Sequence, residues 1–451
     1  MKPKDLAWIS EFWRETKGYI HYREEDGVVI IPPNLVYKTN ATGIAILKFL
    51  DGGGRLDKLA LVEPEKAGDI EAFMRDIRSL YLGQAVETES IPYDFDFSRL
   101  PILGEIAVTY RCNNRCEFCY AGCGGGSGCS APLDRPESDD SRKEMDSDEI
   151  RRIIDIFASE AKIPFFSFTG GEPLLREDVE DFMKYAASKR LRINLITNGT
   201  LATPERAKSL FDAGLRTAQV SLESPDPAIH DELCGSPGSH ARTLAGIKAL
   251  QAAGIAVQTN TTITAFNRES LAAMPAYLAS LGVSRFSMNL YIPDARSPYA
   301  KALFVPYSQI GETVDAIRAA ARRENLVFFW YSPTPLCIFN PIARGLGNKS
   351  CAAADGLISV NPYGEVLPCS SYPEPLGSLL EKPFGEVWFS LRAGHFKQKR
   401  YAPDSCRGCS AFTACQAACP LYWNYAGYDE LKSAGSAPGI SRRKDPVASE
   451  V

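Results

Sequence analysis

Apolar and polar positions change rhythm three times along the chain. Between residues 18 and 38, β-branched and aromatic residues gather in Gly18–Glu24, Gly27–Ile31 and Leu35–Lys38, each bounded by turn formers, which predicts three short strands. Thr39-Asn40-Ala41-Thr42 reads as a helix cap, and Ile44, Ile46, Leu47 and Leu50 keep one helical face after it. Helices are expected over Ala41–Leu50, Leu56–Leu61 and Gly68–Leu80, with Asp51-Gly52-Gly53-Gly54 breaking the first. From 105 to 324 strand and helix alternate, with strands near 105–112, 165–170, 192–198, 217–223, 256–264 and 285–292. Helices fall between and after them, near 147–161, 177–189, 204–213, 238–253, 269–281 and 308–324. Such alternation specifies βαβ units on a parallel sheet. Six units fall short of an eight-fold barrel, so an α/β fold with a partial (β/α)6 barrel is expected. Beyond 335 cysteines, prolines and short turns dominate, with one hairpin, Leu357–Val360 and Glu365–Leu367 around Asn361-Pro362-Tyr363-Gly364. Four parts follow: an N-terminal α+β unit at 1–95, a core at 100–325, a cysteine-rich domain at 335–430 and a disordered tail at 431–451. The Gly-, Ser- and Pro-rich stretch 121–146 interrupts the alternation and is expected to be a long mobile loop or lid.

Composition narrows the function. The 451 residues are 45% hydrophobic and 23% charged, enough for a sizeable core. With 50 basic and 55 acidic residues the net charge is −5, which offers no electrostatic footprint for nucleic acid. No apolar run reaches membrane-spanning length, and the first residues lack the apolar core of a signal peptide, so a cytoplasmic protein is expected. Thirteen cysteines are many for that compartment, where disulfides are disfavoured and clustered thiols indicate metal or catalysis. All but Cys234 fall within 112–129 or 337–419.

The first group contains Cys112-x3-Cys116-x2-Cys119-Tyr120, placed directly after the first strand of the alternation. Three thiolates on one tight loop can hold three irons of a [4Fe–4S] cube and leave the fourth iron open to a chelating substrate. Zinc, the alternative, wants four protein ligands in a structural site, and Cys123 would have to supply the last. The signature resembles that of radical S-adenosylmethionine (SAM) enzymes. That resemblance implies that SAM chelates the open iron, that the reduced cluster donates an electron, and that SAM splits into methionine and a 5′-deoxyadenosyl radical. It makes Cys112, Cys116 and Cys119 catalytic as well as metal-binding, and it implies a flavodoxin or ferredoxin as electron donor.

Further motifs of that family stand in order at the C-terminal ends of the predicted strands, where barrel active sites lie. Thr169-Gly170-Gly171-Glu172-Pro173 resembles the segment that holds SAM's amino group, its carboxylate able to accept from an ammonium. Thr197-Asn198-Gly199 ends the third strand, Ser221 and Glu223 match polar positions near SAM, Asn260 lies in the fifth strand, and Met288–Pro293 resembles the strand beside the adenine. Tyr120, Gly170, Gly171, Glu172, Asn198, Ser221, Glu223 and Asn260 are therefore the expected cofactor-binding residues. His230, Asp231 and Arg242 are either further SAM contacts or exposed polar residues of a connecting loop. Cys-Gly at 234–235 stands where relatives often carry an arginine.

The second group reads Cys351, Gly364-x4-Cys369 and Cys406-x2-Cys409-x5-Cys415-x3-Cys419. Taken alone it would suit a zinc ribbon; beside the first motif it resembles the SPASM extension, which binds one or two auxiliary iron–sulfur clusters. By that analogy one cluster takes Cys351, Cys369 and Cys419 with Cys337 upstream. The other takes Cys406, Cys409 and Cys415 and lacks its last thiolate, so that an oxygen ligand such as Asp429 completes it, the site stays open, or the cluster is absent. Cys123 and Cys129 belong to neither pattern and read either as further ligands or as reduced thiols on the loop.

Leu35-Val-Tyr-Lys-Thr-Asn-Ala-Thr-Gly-Ile-Ala-Ile-Leu-Lys-Phe-Leu-Asp-Gly-Gly resembles PqqD-like domains, small winged-helix-like units that recognise peptides. The physics implied is strand addition at an edge near Tyr37, beside a groove lined by Phe73, Ile77 and Tyr81. The expected function is a radical SAM maturase acting on a ribosomally made peptide or protein substrate, forming thioether or carbon–carbon bonds or a similar oxidation. A maturase of a cofactor or metalloenzyme, of haem, quinone or tungsten-pterin type, is the alternative, and a non-catalytic peptide chaperone the alternative of another class. Neither nucleic acid nor membrane is expected as a partner.

Overall fold

The computed structural model describes residues 6–31, 35–56, 66–84, 97–122, 142–293 and 297–433, with isolated positions between them. Most of the expected helix at Leu56–Leu61, most of the loop 121–146 with Cys123 and Cys129, and the tail from 434 lie outside the described residues.

The N-terminal unit begins with a helix, Ala7–Thr16, that the sequence reading did not anticipate. Its apolar stripe of Leu6, Ile9 and Trp13 is buried against Ile70, Met74 and Ile77 of the helix Ala67–Tyr81. Three antiparallel strands follow, β1 (His21–Arg23), β2 (Val28–Ile31) and β3 (Leu35–Lys38), in that order across the sheet. Asn40 caps the helix Ala41–Asp51 by accepting from the Gly43 N–H at 2.9 Å. The expected groove is corrected here: Ile77 is buried, and Tyr81 packs edge-on against Phe12 and Tyr19, so the added helix covers that side and leaves Phe73 half-buried. A buried ion pair, Arg23 with Asp26, joins this unit to the chain leading into the core, where Arg23 donates to Leu100 O and Asp26 accepts from Arg99 N–H.

One large sheet organises the rest. It contains β4 (Leu103–Thr109), β5 (Phe165–Gly170), β6 (Arg192–Thr197), β7 (Thr217–Ser221), β8 (Ala256–Ile263), β9 (Arg285–Leu290), β10 (Val327–Trp330), β11 (Leu357–Val360), β12 (Glu365–Leu367) and β13 (Gly377–Ser378). The order is β10-β9-β8-β7-β6-β5-β4-β11-β12-β13, parallel from β10 to β11 and antiparallel beyond. The six expected strands are present, and two more parallel strands flank them. β10 had no signal beyond a short apolar run, and the predicted hairpin β11–β12 joins the edge at β4 instead of standing apart.

The register of the parallel strands sorts the two faces. Phe166 and Phe168, Ile193 and Leu195, Ala218 and Val220, and Phe286 and Met288 are buried in the hydrophobic core shared with the surrounding helices. The opposite face carries Glu105, Ser167, Asn194, Gln258, Asn260, Ser287 and Asn289. These bond to one another: Asn194 donates to Ser167 at 3.1 Å, Gln258 to Ser287 at 3.1 Å, Ser287 to Asn260 at 2.8 Å and Asn260 to Asn289 at 2.8 Å. Parallel sheets packed on both faces are near-continuously apolar. A polar inner face therefore marks space kept for a ligand.

The cysteine-rich domain locks onto the core through aromatic packing. Tyr422 stacks on Tyr307 with ring centroids 3.6 Å apart, accepts from the Tyr307 N–H at 2.9 Å, and donates to Glu430. Tyr422→Phe keeps the stacking but orphans a buried N–H, and should cost about 1–3 kcal/mol, read as a lowered unfolding midpoint in urea.

Candidate metal centres

The loop after β4 carries the half-buried thiols Cys112, Cys116 and Cys119. The end of the helix Pro227–Leu233 and the residues after β6 shape it. Arg115 N–H donates to Cys234 O at 2.9 Å and Glu117 N–H to Leu233 O at 3.1 Å. The Asn198 amide donates to Asn113 Oδ1 at 2.8 Å and lies 3.9 Å from Cys112 Sγ, while Asn114 N–H reaches the same sulfur at 3.4 Å. A hydrogen bond with the Cys234 thiol, burial, and the charges of Cys234, Cys119 and Cys112 hold the Cys116 thiol well above its ordinary pKa. Ionising several of these thiols together is costly without a counter-charge, which an iron–sulfur cluster supplies. Among the described residues no group of three or more His, Cys, Asp or Glu could hold a single metal ion. In a cube, by contrast, each thiolate takes its own iron, and the three-thiol set fits that demand.

The Gly-Gly-Glu segment is part of the same scaffold. Gly170 has φ +140°, and a Cβ there would stand 2.1 Å from Thr109 O; at Gly171 it would stand 2.3 Å from Arg111 O. These glycines let the end of β5 pack on the backbone that leads to Cys112, and Gly171 N–H and Glu172 N–H donate to Thr109 O and Arg111 O, both at 2.8 Å. The Glu172 carboxylate is fully buried and accepts from Leu174 N–H, the Thr197 hydroxyl and Asn198 N–H at 3.0, 2.7 and 2.8 Å. Burial raises its pKa and those three bonds oppose the rise. Its acceptors therefore face the protein's own donors, not the open site where an ammonium was expected.

The remaining expected residues separate into two kinds. Tyr120 exposes its ring while its hydroxyl donates to Gly170 O at 3.2 Å. Ser221 and Asn260 pair in register on the polar inner face. Glu223, by contrast, is buried, with Oε2 accepting from Thr262 N–H at 2.8 Å, and burial pushes its carboxyl up to about 8. His230 is no exposed loop residue: it is buried, and its Nδ1 accepts from Glu223 N–H at 3.1 Å. Asp231 caps the helix Ser239–Ala252 through Ser239 and His240, and Arg242 bonds Ser236 and Pro237 beside it.

The later cysteines divide in two. Cys351 is buried and packs with Cys369 and Tyr401; burial and the charges of Cys351 and Cys419 hold the Cys369 thiol well above its ordinary pKa. Around Cys406, which is raised to about 12, burial acts together with the charges of Cys415, Cys337 and Cys409. Leu336 N–H reaches Cys415 Sγ at 3.4 Å. Cys337, which follows Leu336 in the chain, is thus among the groups whose charge reaches Cys406. Asp429 lies exposed, paired with Lys432 at 2.8 Å.

Two residues of interest escaped the sequence reading. Cys234 stands outside both cysteine groups, marked in the sequence only as a departure from the family's arginine, and the fold brings it beside Cys116. Glu105 sat unremarked at inner-face parity in β4, where Ser359 and Ser370 bond its carboxylate, burial raises its pKa, and both Tyr120 and Cys369 feel its charge.

Comparison with known proteins places these features. Residues 106–281 match the radical SAM superfamily profile, and residues 351–410 match SPASM, an iron–sulfur cluster-binding domain. The chain is 30% identical over 303 residues to an AdoMet-dependent heme synthase of Methanosarcina barkeri, covering 62% of this chain and 80% of that protein. It is 26% identical over 317 residues to a PqqA peptide cyclase of Streptomyces rochei, covering 67% and 80%. Among solved structures, Streptococcus suis SuiB bound to the precursor peptide SuiA superposes with TM-score 0.67 at 16% identity, over 90% of this chain and 95% of that one. No described helix is long and apolar enough to cross a membrane.

Two outcomes follow. Glu172→Gln sets an amide N–H against protein donors and should lower stability by about 1–3 kcal/mol in urea unfolding. Glu223 stays protonated in the fold to about pH 8, while the unfolded chain loses that proton near 4.5. Its contribution is therefore complete below 4.5 and falls as pH rises toward 8. Glu223→Gln should flatten that decline in urea midpoints measured across the window.

Proposed function

The chain belongs to the radical SAM superfamily, as an enzyme with a C-terminal SPASM domain that binds SAM and iron–sulfur clusters, and from that premise we propose that it is a maturase of a ribosomally made peptide. Cys112, Cys116 and Cys119 hold the SAM-binding [4Fe–4S] cluster in this reading. When bound, that cluster supplies the electron that cleaves SAM and thereby starts hydrogen abstraction from substrate. Tyr120, the Gly170–Gly171 backbone, Ser221 and Asn260 contact SAM, whereas Glu172, Asn198 and Glu223 act from behind by fixing the loops that do so. A flavodoxin- or ferredoxin-type protein delivers the electron.

The observation that carries the peptide reading is the N-terminal meander. β3 pairs with β2 along one side, and among the described strands nothing pairs with its other side, which is the geometry that strand addition uses. The inner face adds support, since amide and hydroxyl side chains match peptide groups. A second reading, maturation of a haem-type cofactor, is favoured by the 30% identity to a heme synthase. A tetrapyrrole's carboxylates call for basic partners, whereas the inner face described above presents neutral groups and Glu105.

Reconstituted enzyme given SAM and dithionite should form 5′-deoxyadenosine, and Cys116→Ala should abolish it. Fluorescence anisotropy of the full chain with the short peptides encoded beside its gene should find one that binds. Lys38→Pro, beside Tyr37, removes an outward-facing donor of that edge and should weaken that binding about tenfold while SAM cleavage persists. Binding of an iron porphyrin and of no peptide would establish the second reading in its place.

A further inference from the structure

Seven cysteines lie beyond residue 330, and folding sorts them differently from their order in the chain. Resting on the iron–sulfur reading above, we propose that Cys337 is the fourth thiolate of the auxiliary cluster held by Cys406, Cys409 and Cys415.

The placement starts in the backbone. Cys337 sits in the tight turn that follows β10, closed by Ile338 N–H and Phe339 N–H on Pro335 O at 2.9 and 3.0 Å. Phe339 anchors this turn in the core against Trp330, with ring centroids 5.7 Å apart. The turn is pressed onto the later cysteines from two sides: Leu336 N–H donates to Cys415 Sγ at 3.4 Å, and Asn348 Nδ2 donates to Ala414 O at 3.0 Å. Thiolates that accept backbone N–H donors are characteristic of iron–sulfur ligands, because those bonds stabilise the charge on sulfur.

The other set is separately built. Cys351, Cys369 and Tyr401 pack around Phe396 in a distinct apolar cluster. The fully buried Lys399 holds it by donating to Cys351 O at 2.7 Å and pairing with Asp355 at 3.2 Å. Cys419 belongs here: the Tyr401 hydroxyl of this set donates to Ala418 O, next to Cys419, at 3.3 Å. Ser370, next to Cys369, bonds Glu105 on the inner face of the sheet. The Cys351 centre is thus the auxiliary cluster that meets the substrate space, and the Cys337 centre is the outer one, closed by four thiolates.

Variants sort the two arrangements. In anaerobically reconstituted protein, Cys337→Ala should lose about four irons, the same loss as Cys406→Ala. The double variant Cys337→Ala/Cys406→Ala should lose no more than either single one, whereas Cys337→Ala/Cys351→Ala should lose about eight, because it breaks two clusters. Low-temperature EPR should show the same auxiliary signal missing from the Cys337 and Cys406 variants and a different one missing from the Cys351 variant. Cys337→Ser guards against a folding defect, and 5′-deoxyadenosine formation checks that the SAM site survives. Iron losses that coincide between Cys337→Ala and Cys351→Ala, or an unchanged iron content in Cys337→Ala, overturn the assignment. Failure of the wild type to cleave SAM would instead strike the radical SAM reading and leave the ligand sorting to stand on iron content alone.

Discussion

Everything at the SAM-binding end of this enzyme depends on one close backbone contact, that of Gly170–Gly171 with Thr109–Arg111. Side chains at either glycine would collide with main-chain oxygens, so the end of β5 can brace the cysteine loop only with both Cβ atoms missing. Glu172 completes the joint. Its backbone N–H reaches back to Arg111, and its buried carboxylate reaches sideways to Thr197 and Asn198. Asn198 in turn touches Asn113 and Cys112. Three strand ends are thereby tied to one loop through polar groups satisfied inside the protein. A cluster-binding loop needs that rigidity, since its thiols repel one another until iron arrives.

The polar inner face is the second consequence of the same architecture. Helices cover the apolar side of the parallel sheet, so the other side carries groups that would be costly to bury without partners. Those amides and hydroxyls pair among themselves, while Glu105, bonded by Ser359 and Ser370, acts on both Tyr120 and Cys369. In the function proposed above, substrate space lies between the SAM-binding loop and the Cys351 centre. β11 and β12 add the cysteine-rich domain directly to the edge at β4, which makes that placement a matter of sheet register and not of flexible docking.

Much of this was legible in the sequence. Alternation of strand and helix announced the parallel sheet, and the ordered motifs at strand ends announced the site. What escaped did so for physical reasons. β10 is four residues long and half-exposed, too short for periodicity to register. The helix Ala7–Thr16 is amphipathic but carries no N-cap side chain to mark its start. Glu172 and Glu223 matched motif positions, yet whether a carboxylate faces ligand or protein depends on donors brought in from other strands. Family analogy groups Cys337 with Cys351, and no pattern in the chain reveals that folding sets the neighbouring Leu336 N–H on Cys415 Sγ.

The most direct test of the account is the EPR spectrum of the reduced site-cluster, recorded with and without SAM in a variant that lacks the auxiliary cysteines. If Cys112, Cys116 and Cys119 leave one iron open for SAM, adding SAM shifts the g-values of that signal. A signal that SAM leaves unchanged, in protein that binds about four irons, would contradict the account at its centre.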